Sequence, residues 1–162
     1  MSRAPLGGEH DEQVLHETIT RWSEEWSAGN TLLGVEHQAT CDDRGHYHWL
    51  IRMKGEEKDS ITLWLSLRQR SVHVETQVMP APEENLEALY RYALVKNAEM
   101  RELHLALGPE AGLYLVTQIP ILEVTSERLD EVVGATLNYV DEFFPTMMSL
   151  GLPNLYRRRR PS

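Results

Sequence analysis

Several features that mark particular classes of protein are scarce or absent in this chain of 162 residues. It has a single cysteine, Cys41, which excludes an internal disulfide framework and is typical of a reducing compartment. No apolar run approaches the roughly 20 residues that a membrane-spanning helix needs, and the first residues lack the apolar core of a signal peptide. We therefore expect a cytoplasmic protein with no membrane contact.

The chain also has fewer positively charged residues than negatively charged ones. The chain has 16 Lys and Arg against 25 Asp and Glu, which gives a formal net charge of −9. A general nucleic-acid binder needs a basic face that displaces counterions from phosphates. The acidic balance therefore argues against nucleic acid as the main partner.

The common signatures of catalysis and cofactor binding are missing. The sequence has no serine nucleophile elbow, no phosphate loop and no dinucleotide fingerprint. Its many carboxylates fall on the solvent faces and first turns of predicted helices, where solvation and the helix dipole account for them. We therefore expect no enzyme activity, no catalytic residues and no cofactor.

One small group of residues is compatible with a metal site. His46 and His48 share one face of a predicted strand, and a second candidate strand, Leu33–Cys41, precedes it. If the two strands pair, Cys41 comes beside His46, and two imidazoles with a thiolate can bind zinc. The alternative is a solvated hairpin face without metal, which we favour because no fourth ligand is evident.

Hydrophobic periodicity predicts one α+β domain. Three segments carry apolar residues every three to four positions, as amphipathic helices do. They are 9–28, 82–98 and 126–144. Other segments are short apolar runs or alternate apolar with polar residues, as strands with one covered face do. They are 47–54, 61–68, 72–79, 103–107 and 113–119, with Leu33–Cys41 as a sixth candidate. The predicted fold is a twisted antiparallel sheet of five or six strands with helices packed on one face, in the order α-β(3-4)-α-β-β-α.

The boundaries of the domain and of its helices carry further expectations. We expect residues 1–8 to be a disordered leader, residues 9–151 to form a single domain, and residues 152–162 to be a basic C-terminal tail. Pro82 is expected in the first turn of the second helix, where its missing N–H is no loss. Pro145 is expected to kink or stop the third helix.

Two stretches of the second half resemble the YbjN family. They are LYRYALVKNAEMRELHLAL at Leu89–Leu107 and LYLVTQIPILEVTSERLDEVVGATLNYVDEFFPTMMSLG at Leu113–Gly151. The resemblance covers roughly residues 33–151. It implies the fold of the class I type III secretion chaperones, a curved antiparallel sheet with helices on one side that is often dimeric. Some members are described as sensory transduction regulators, and the family supplies no catalytic residues.

A sheet with helices on one face leaves its other face to be covered, because monomers rarely expose large apolar patches. That face would carry Trp64, and the chain beyond Pro145 adds further apolar side chains. The predicted apolar binding or dimer surface consists of Trp64, Met147, Met148, Leu150 and Leu152. The alternative is that Gly151–Tyr156 folds back onto the domain and leaves a monomer.

These observations favour a non-catalytic protein-binding or chaperone-like module. Its expected partner is a second copy in a homodimer, or a protein or peptide client. The alternative is a regulator that contacts a signalling protein or nucleic acid through the arginine-rich end, Arg157–Arg160. As a solvated tail, the same arginines would serve only solubility.

Overall fold

The computed structural model describes residues 9–29, 36–41 and 47–159. These residues form one antiparallel sheet with helices packed on one face. For 9–12, 27, 29 and 36–41 the structure describes the backbone alone. The helices are α1 (Glu9–Gly29), α2 (Leu86–Glu99), α3 (Ser126–Gly151) and α4 (Pro153–Arg159). The strands are β1 (Glu36–Cys41), β2 (Tyr47–Lys54), β3 (Ser60–Leu67), β4 (Ser71–Met79), β5 (His104–Leu107) and β6 (Leu113–Pro120). The predicted fold class is confirmed.

The sheet has six strands in the order β1-β2-β3-β4-β6-β5, and each neighbouring pair is antiparallel. Alternate side chains of a strand point to opposite faces. Along β2, β3 and β4 buried residues such as Ile51, Leu63 and Val74 alternate with more exposed ones, until Val78 and Met79 at the end of β4 are both buried. These side chains form one core with the apolar faces of α1 and α3.

Two indole hydrogen bonds tie α1 to the rest of the core. Trp22 Nε1 donates to Asp130 Oδ1 of α3 at 2.8 Å, and Trp49 Nε1 of β2 donates to Thr20 Oγ1 of α1 at 3.1 Å. Both tryptophans are buried, so an unpaired indole N–H would carry a desolvation cost of about 1–3 kcal/mol. The two bonds therefore fix where α1 lies on the sheet.

The helix α2 begins at Leu86, and the prediction that Pro82 lies in its first turn is wrong. The segment before α2 caps another helix instead. The backbone N–H groups of Glu83 and Glu84 both donate to the carbonyl of Gly151, at 2.9 and 3.1 Å. A helix end leaves carbonyls without intrahelical partners, and this cap satisfies one of them, which keeps the segment out of the helix.

The helix α3 does not stop at Pro145 but continues to Gly151. A proline inside a helix costs about 3 kcal/mol because one hydrogen bond is lost and the ring crowds the preceding turn. Met147 and Met148 lie beyond it and are buried. Burying two such side chains contributes about 3–6 kcal/mol, which is enough to offset the proline.

The end of the chain, predicted to be a disordered basic tail, is helical through Arg159. The ring of Tyr156 meets that of Phe144 edge-on, with centroids 6.1 Å apart, and the Arg159 guanidinium lies 5.2 Å from the Phe144 centroid. Arg159 also pairs with Asp59, in the loop between β2 and β3, at 2.7 Å. The segment therefore folds back onto the domain, as the alternative interpretation expected.

Some predictions fall outside the described residues. They concern the leader at 1–8, the start of the first candidate strand at Leu33, His46 and Arg160. Within the described ranges, no helix combines the length and the apolarity needed to span a membrane.

Candidate functional site

The candidate site is the face of the sheet on which the described residues place no helix, and we call it the open face. Its side chains alternate with the buried ones along β2, β3, β4 and β6. They include His48, Leu50, Arg52, Thr62, Trp64, Ser66, His73, Glu75, Gln77, Tyr114, Val116 and Gln118. Trp64 is 44% exposed, the only one of them among the exposed large hydrophobics.

The strand register arranges the open face in rows across the sheet. The central row runs Leu50, Trp64, Glu75 and Val116. On one side lie Arg52 and Thr62, then Gln77 and Tyr114; on the other lie His48, Ser66, His73 and Gln118. Trp64 is therefore the largest apolar side chain of a face whose other members are mostly polar.

The predicted register of β1 against β2 is wrong by one residue, and His46 itself lies outside the described residues. β1 and β2 do pair, but Cys41 stands opposite Tyr47, and Thr40 stands opposite His48. The Nδ1 atom of His48 lies 2.9 Å from Ser66 Oγ, within hydrogen-bond distance. Among the described residues, no group of three His, Cys, Asp or Glu side chains is arranged to hold a metal ion.

The row that contains His48 also contains a second histidine. The pKa of His73 is lowered from its ordinary value, chiefly by burial and then by the positive charge of Arg68, while Glu75 acts in the opposite direction. This imidazole is therefore held more in its neutral form than a solvated histidine would be. As a neutral ring it can accept or donate one hydrogen bond on the open face.

The five residues of the predicted apolar surface do not come together on one surface. Trp64 is exposed on the open face, whereas Met147, Met148 and Leu152 are buried in the core. Their burial follows from the continuation of α3 and the return of α4. Leu150 is half-buried and lies at a different place, beside α2.

A shallow groove of about 610 Å³ runs beside α2 and includes Leu150 in its lining. Ala88, Tyr92 and Val95 are further members of its lining. One cation of its lining, Arg91, is paired with Glu87 at 3.1 Å. This groove is a second apolar region, away from the open face.

A pocket of about 360 Å³ on the open face was missed by sequence reasoning. It joins two cations, Arg52 and Lys58, with two aromatic residues, Trp64 and Tyr114. Leu50, Ser60, Thr62 and Gln77 complete the lining. Lys58 lies in the polar loop between β2 and β3, and nothing in the sequence pattern connects that loop with Tyr114.

Lys58 has an unusual electrostatic setting in this pocket. Its Nζ atom donates to the backbone carbonyl of Gln77, next to the place where the pairing of β4 with β6 shifts. Burial, and then the positive charge of Arg159, lowers the pKa of Lys58 from 10.5 to about 8. Among the described residues, no carboxylate forms an ion pair with this nitrogen, and none is a cause of its lowered pKa.

Comparison with known proteins shows that the chain is similar to bacterial sequences. Residues 30–148 match the profile of the YbjN family, described as "Putative bacterial sensory transduction regulator". The chain is similar to "Uncharacterized protein ML2442" of Mycobacterium leprae, with 30% identity over 139 residues, which cover 82% of this chain and 76% of that protein.

Two further mycobacterial proteins match over a shorter region. "Uncharacterized protein Rv0487" of Mycobacterium tuberculosis and "Uncharacterized protein Mb0497" of Mycobacterium bovis are each 32% identical to this chain over 109 residues. The match covers 67% of this chain and 60% of each of those proteins. The chain therefore spans about three fifths of these two relatives, whose names state no activity.

Proposed function

The chain belongs to the YbjN family, and on that premise we propose that it is a non-catalytic binding protein that pairs with a second copy of itself through the open face. The observation that carries the proposal is Trp64, a tryptophan 44% exposed near the middle of a sheet face without a helix. Tryptophan is enriched at the centres of interfaces, where it supplies much of the binding free energy. The family description names a regulator and no reaction.

The size of the open face suits a stable interface. The six strands have between 4 and 9 residues, and with about 3.3 Å per residue and about 4.8 Å between strands they form a face of roughly 700 Å². A standard interface buries about 800 Å² on each partner. One face of this sheet is therefore large enough to serve as the whole contact.

The charges of the open face suit pairing with a copy of itself. Arg52 and Lys58 supply positive charge, and Glu75 supplies negative charge. In a two-fold interface the same surface is used by both copies, so cations of one copy can meet the carboxylate of the other. Such pairing would set the register of the two copies.

Light scattering coupled to size exclusion at micromolar concentration tests this proposal. The wild-type chain is expected at twice 18.7 kDa, and a Trp64→Ser variant is expected at 18.7 kDa with an unchanged circular dichroism spectrum. Leu122→Ser is the matched control, because Leu122 is 69% exposed and lies off the open face. A monomeric wild-type protein, or a Trp64→Ser variant that keeps the dimer mass, would contradict the proposal.

A second candidate is a regulatory contact with a signalling protein or nucleic acid through the arginines of α4. The observation that favours it is that Arg157 and Arg158 are exposed on this helix, whereas Arg159 is paired with Asp59. A double change, Arg157→Gln with Arg158→Gln, leaves the Arg159 contact in place. Electrophoretic shift at physiological salt should show wild-type binding that this variant loses, and equal shifts, or none, would refute the candidate.

A further inference from the structure

We propose that the pocket on the open face binds a small organic anion that carries a flat ring, with the anionic group at Lys58 and Arg52 and the ring against Trp64 and Tyr114. The cavity of about 360 Å³ lies within the usual range for small-molecule sites, about 300–1,000 Å³. The proposed ligand site shares Trp64, Arg52 and Lys58 with the proposed dimer surface, and the two proposals are tested separately.

The anionic end of the ligand is assigned by the two cations. The ammonium of Lys58 has three N–H donors, and the carbonyl of Gln77 is its hydrogen-bond acceptor among the described residues. Arg52 is exposed at the rim, and its guanidinium offers a planar fork suited to a carboxylate, sulfonate or phosphate. The hydroxyls of Ser60 and Thr62 lie in the same lining and can donate to further oxygens.

Two carboxylates near the pocket, among the side chains that the structure describes, do not pair with these cations. Asp59, the neighbour of Lys58 in sequence, is already engaged by Arg159 at 2.7 Å. Glu75 lies on the open face but outside the lining. Among the residues whose side chains the structure describes, the lining holds two cations and no carboxylate, in a chain whose net charge is −9.

The ring end of the ligand is assigned by two aromatic side chains, of which Tyr114 is held firmly. Its ring packs on the backbone of Gly108, where a Cβ atom would lie 2.3 Å from Tyr114 Cδ2. The Nε2 atom of Gln77 lies 3.4 Å from the Tyr114 hydroxyl. Trp64 offers a half-exposed indole in the same lining. Aromatic rings that are fixed before binding lose little entropy when a flat ligand packs on them.

Fluorescence titration with 8-anilinonaphthalene-1-sulfonate tests the proposal, with N-phenyl-1-naphthylamine as the probe that lacks the sulfonate. We expect one sulfonate probe per chain. Arg52→Gln and Lys58→Met should each weaken its binding by at least about tenfold, because each removes a charged contact worth roughly 1.5–3 kcal/mol and about 1.4 kcal/mol corresponds to tenfold. Neither change should weaken the uncharged probe, whereas Trp64→Ser should weaken both probes.

Arg91→Gln is the matched control, since Arg91 lines the separate groove beside α2. If that change weakens the sulfonate probe, or if Arg52→Gln and Lys58→Met both leave its affinity unchanged, the assignment is overturned. Absence of saturable binding to the wild-type chain would overturn it as well. Arg52→Gln changes an exposed residue and should fold normally, so the test stands even if Lys58→Met is unstable.

Different experimental results refute the ligand site and the proposed dimer. A dimeric protein whose sulfonate binding ignores Arg52 and Lys58 would refute the ligand site alone. A monomeric protein whose sulfonate binding depends on both cations would refute the dimer alone.

Discussion

Replacing Met147 by alanine tests whether the end of α3 belongs to the core or to a binding surface. The side chain is 0% exposed and lies beside Met148, which is 2% exposed. Truncation of a buried Met, Leu or Ile to Ala removes apolar contacts and leaves a cavity, at a cost of about 2–5 kcal/mol. In a chain of this size each kcal/mol lowers the melting temperature by about 2–4 °C, so we expect a fall of roughly 10 °C.

Urea unfolding followed by far-UV circular dichroism measures this cost. The midpoint should fall while the slope m stays constant, which shows that stability changed and the unfolding transition did not. Leu122→Ala is the control, because an exposed side chain of similar size should change the free energy of unfolding by less than about 0.5 kcal/mol.

The opposite outcome has a definite meaning. If Met147→Ala costs less than about 0.5 kcal/mol and weakens self-association instead, the side chain lies on a surface, as the sequence alone had predicted. The structural reasoning about α3 would then be refuted, because it requires that Met147 contributes to the folding of one chain.

Three further changes test other parts of the structure. Gly151→Ala should destabilise by about 1–3 kcal/mol, since its Cβ would lie 2.8 Å from Met79 Cε, whereas Gly134→Ala, with nothing within 4 Å, should be neutral or stabilising. Thr125→Ala should cost about 1 kcal/mol in thermal unfolding, because Thr125 Oγ1 accepts from Arg128 N at the start of α3, and the neighbouring Ser126→Ala should cost less. The third concerns Lys58, whose pKa rises from about 8 to 10.5 on unfolding, so the unfolded chain binds more protons between these values. The free energy of unfolding should therefore rise with pH across that window relative to Lys58→Met, and a difference that is flat with pH would contradict it.

Much of the sheet could be predicted because the buried and exposed positions of a strand appear in the sequence as alternating apolar and polar residues. The alternation of Trp49, Ile51 and Met53 with polar residues predicted β2 at 47–54, which are the bounds observed. The same alternation predicted that Trp64 lies on the face opposite to the helices. A period of two in hydrophobicity depends only on which face of a strand is covered.

The ends of the helices could not be predicted from local rules. By local rules Pro82 marks the first turn of the second helix, and Pro145 marks a kink or an end of the third. The helix α2 starts later than Pro82, however, and α3 continues beyond Pro145. In the first case the carbonyl of Gly151 takes the donors of the preceding segment, and in the second the burial of Met147 outweighs the proline. Both outcomes depend on partners that are distant along the chain.

The sequence by itself determined the family, through the two stretches that resemble it. It also determined the fold class and the face on which Trp64 lies, because periodicity and turn residues act over a few positions. Only the tertiary structure decided what that face contains. The pocket needs the register of four strands, a shift in the pairing of β4 with β6, and a loop that brings Lys58 to Gln77. These arrangements are set by packing and hydrogen bonding between segments far apart in sequence, which no local pattern of residues records.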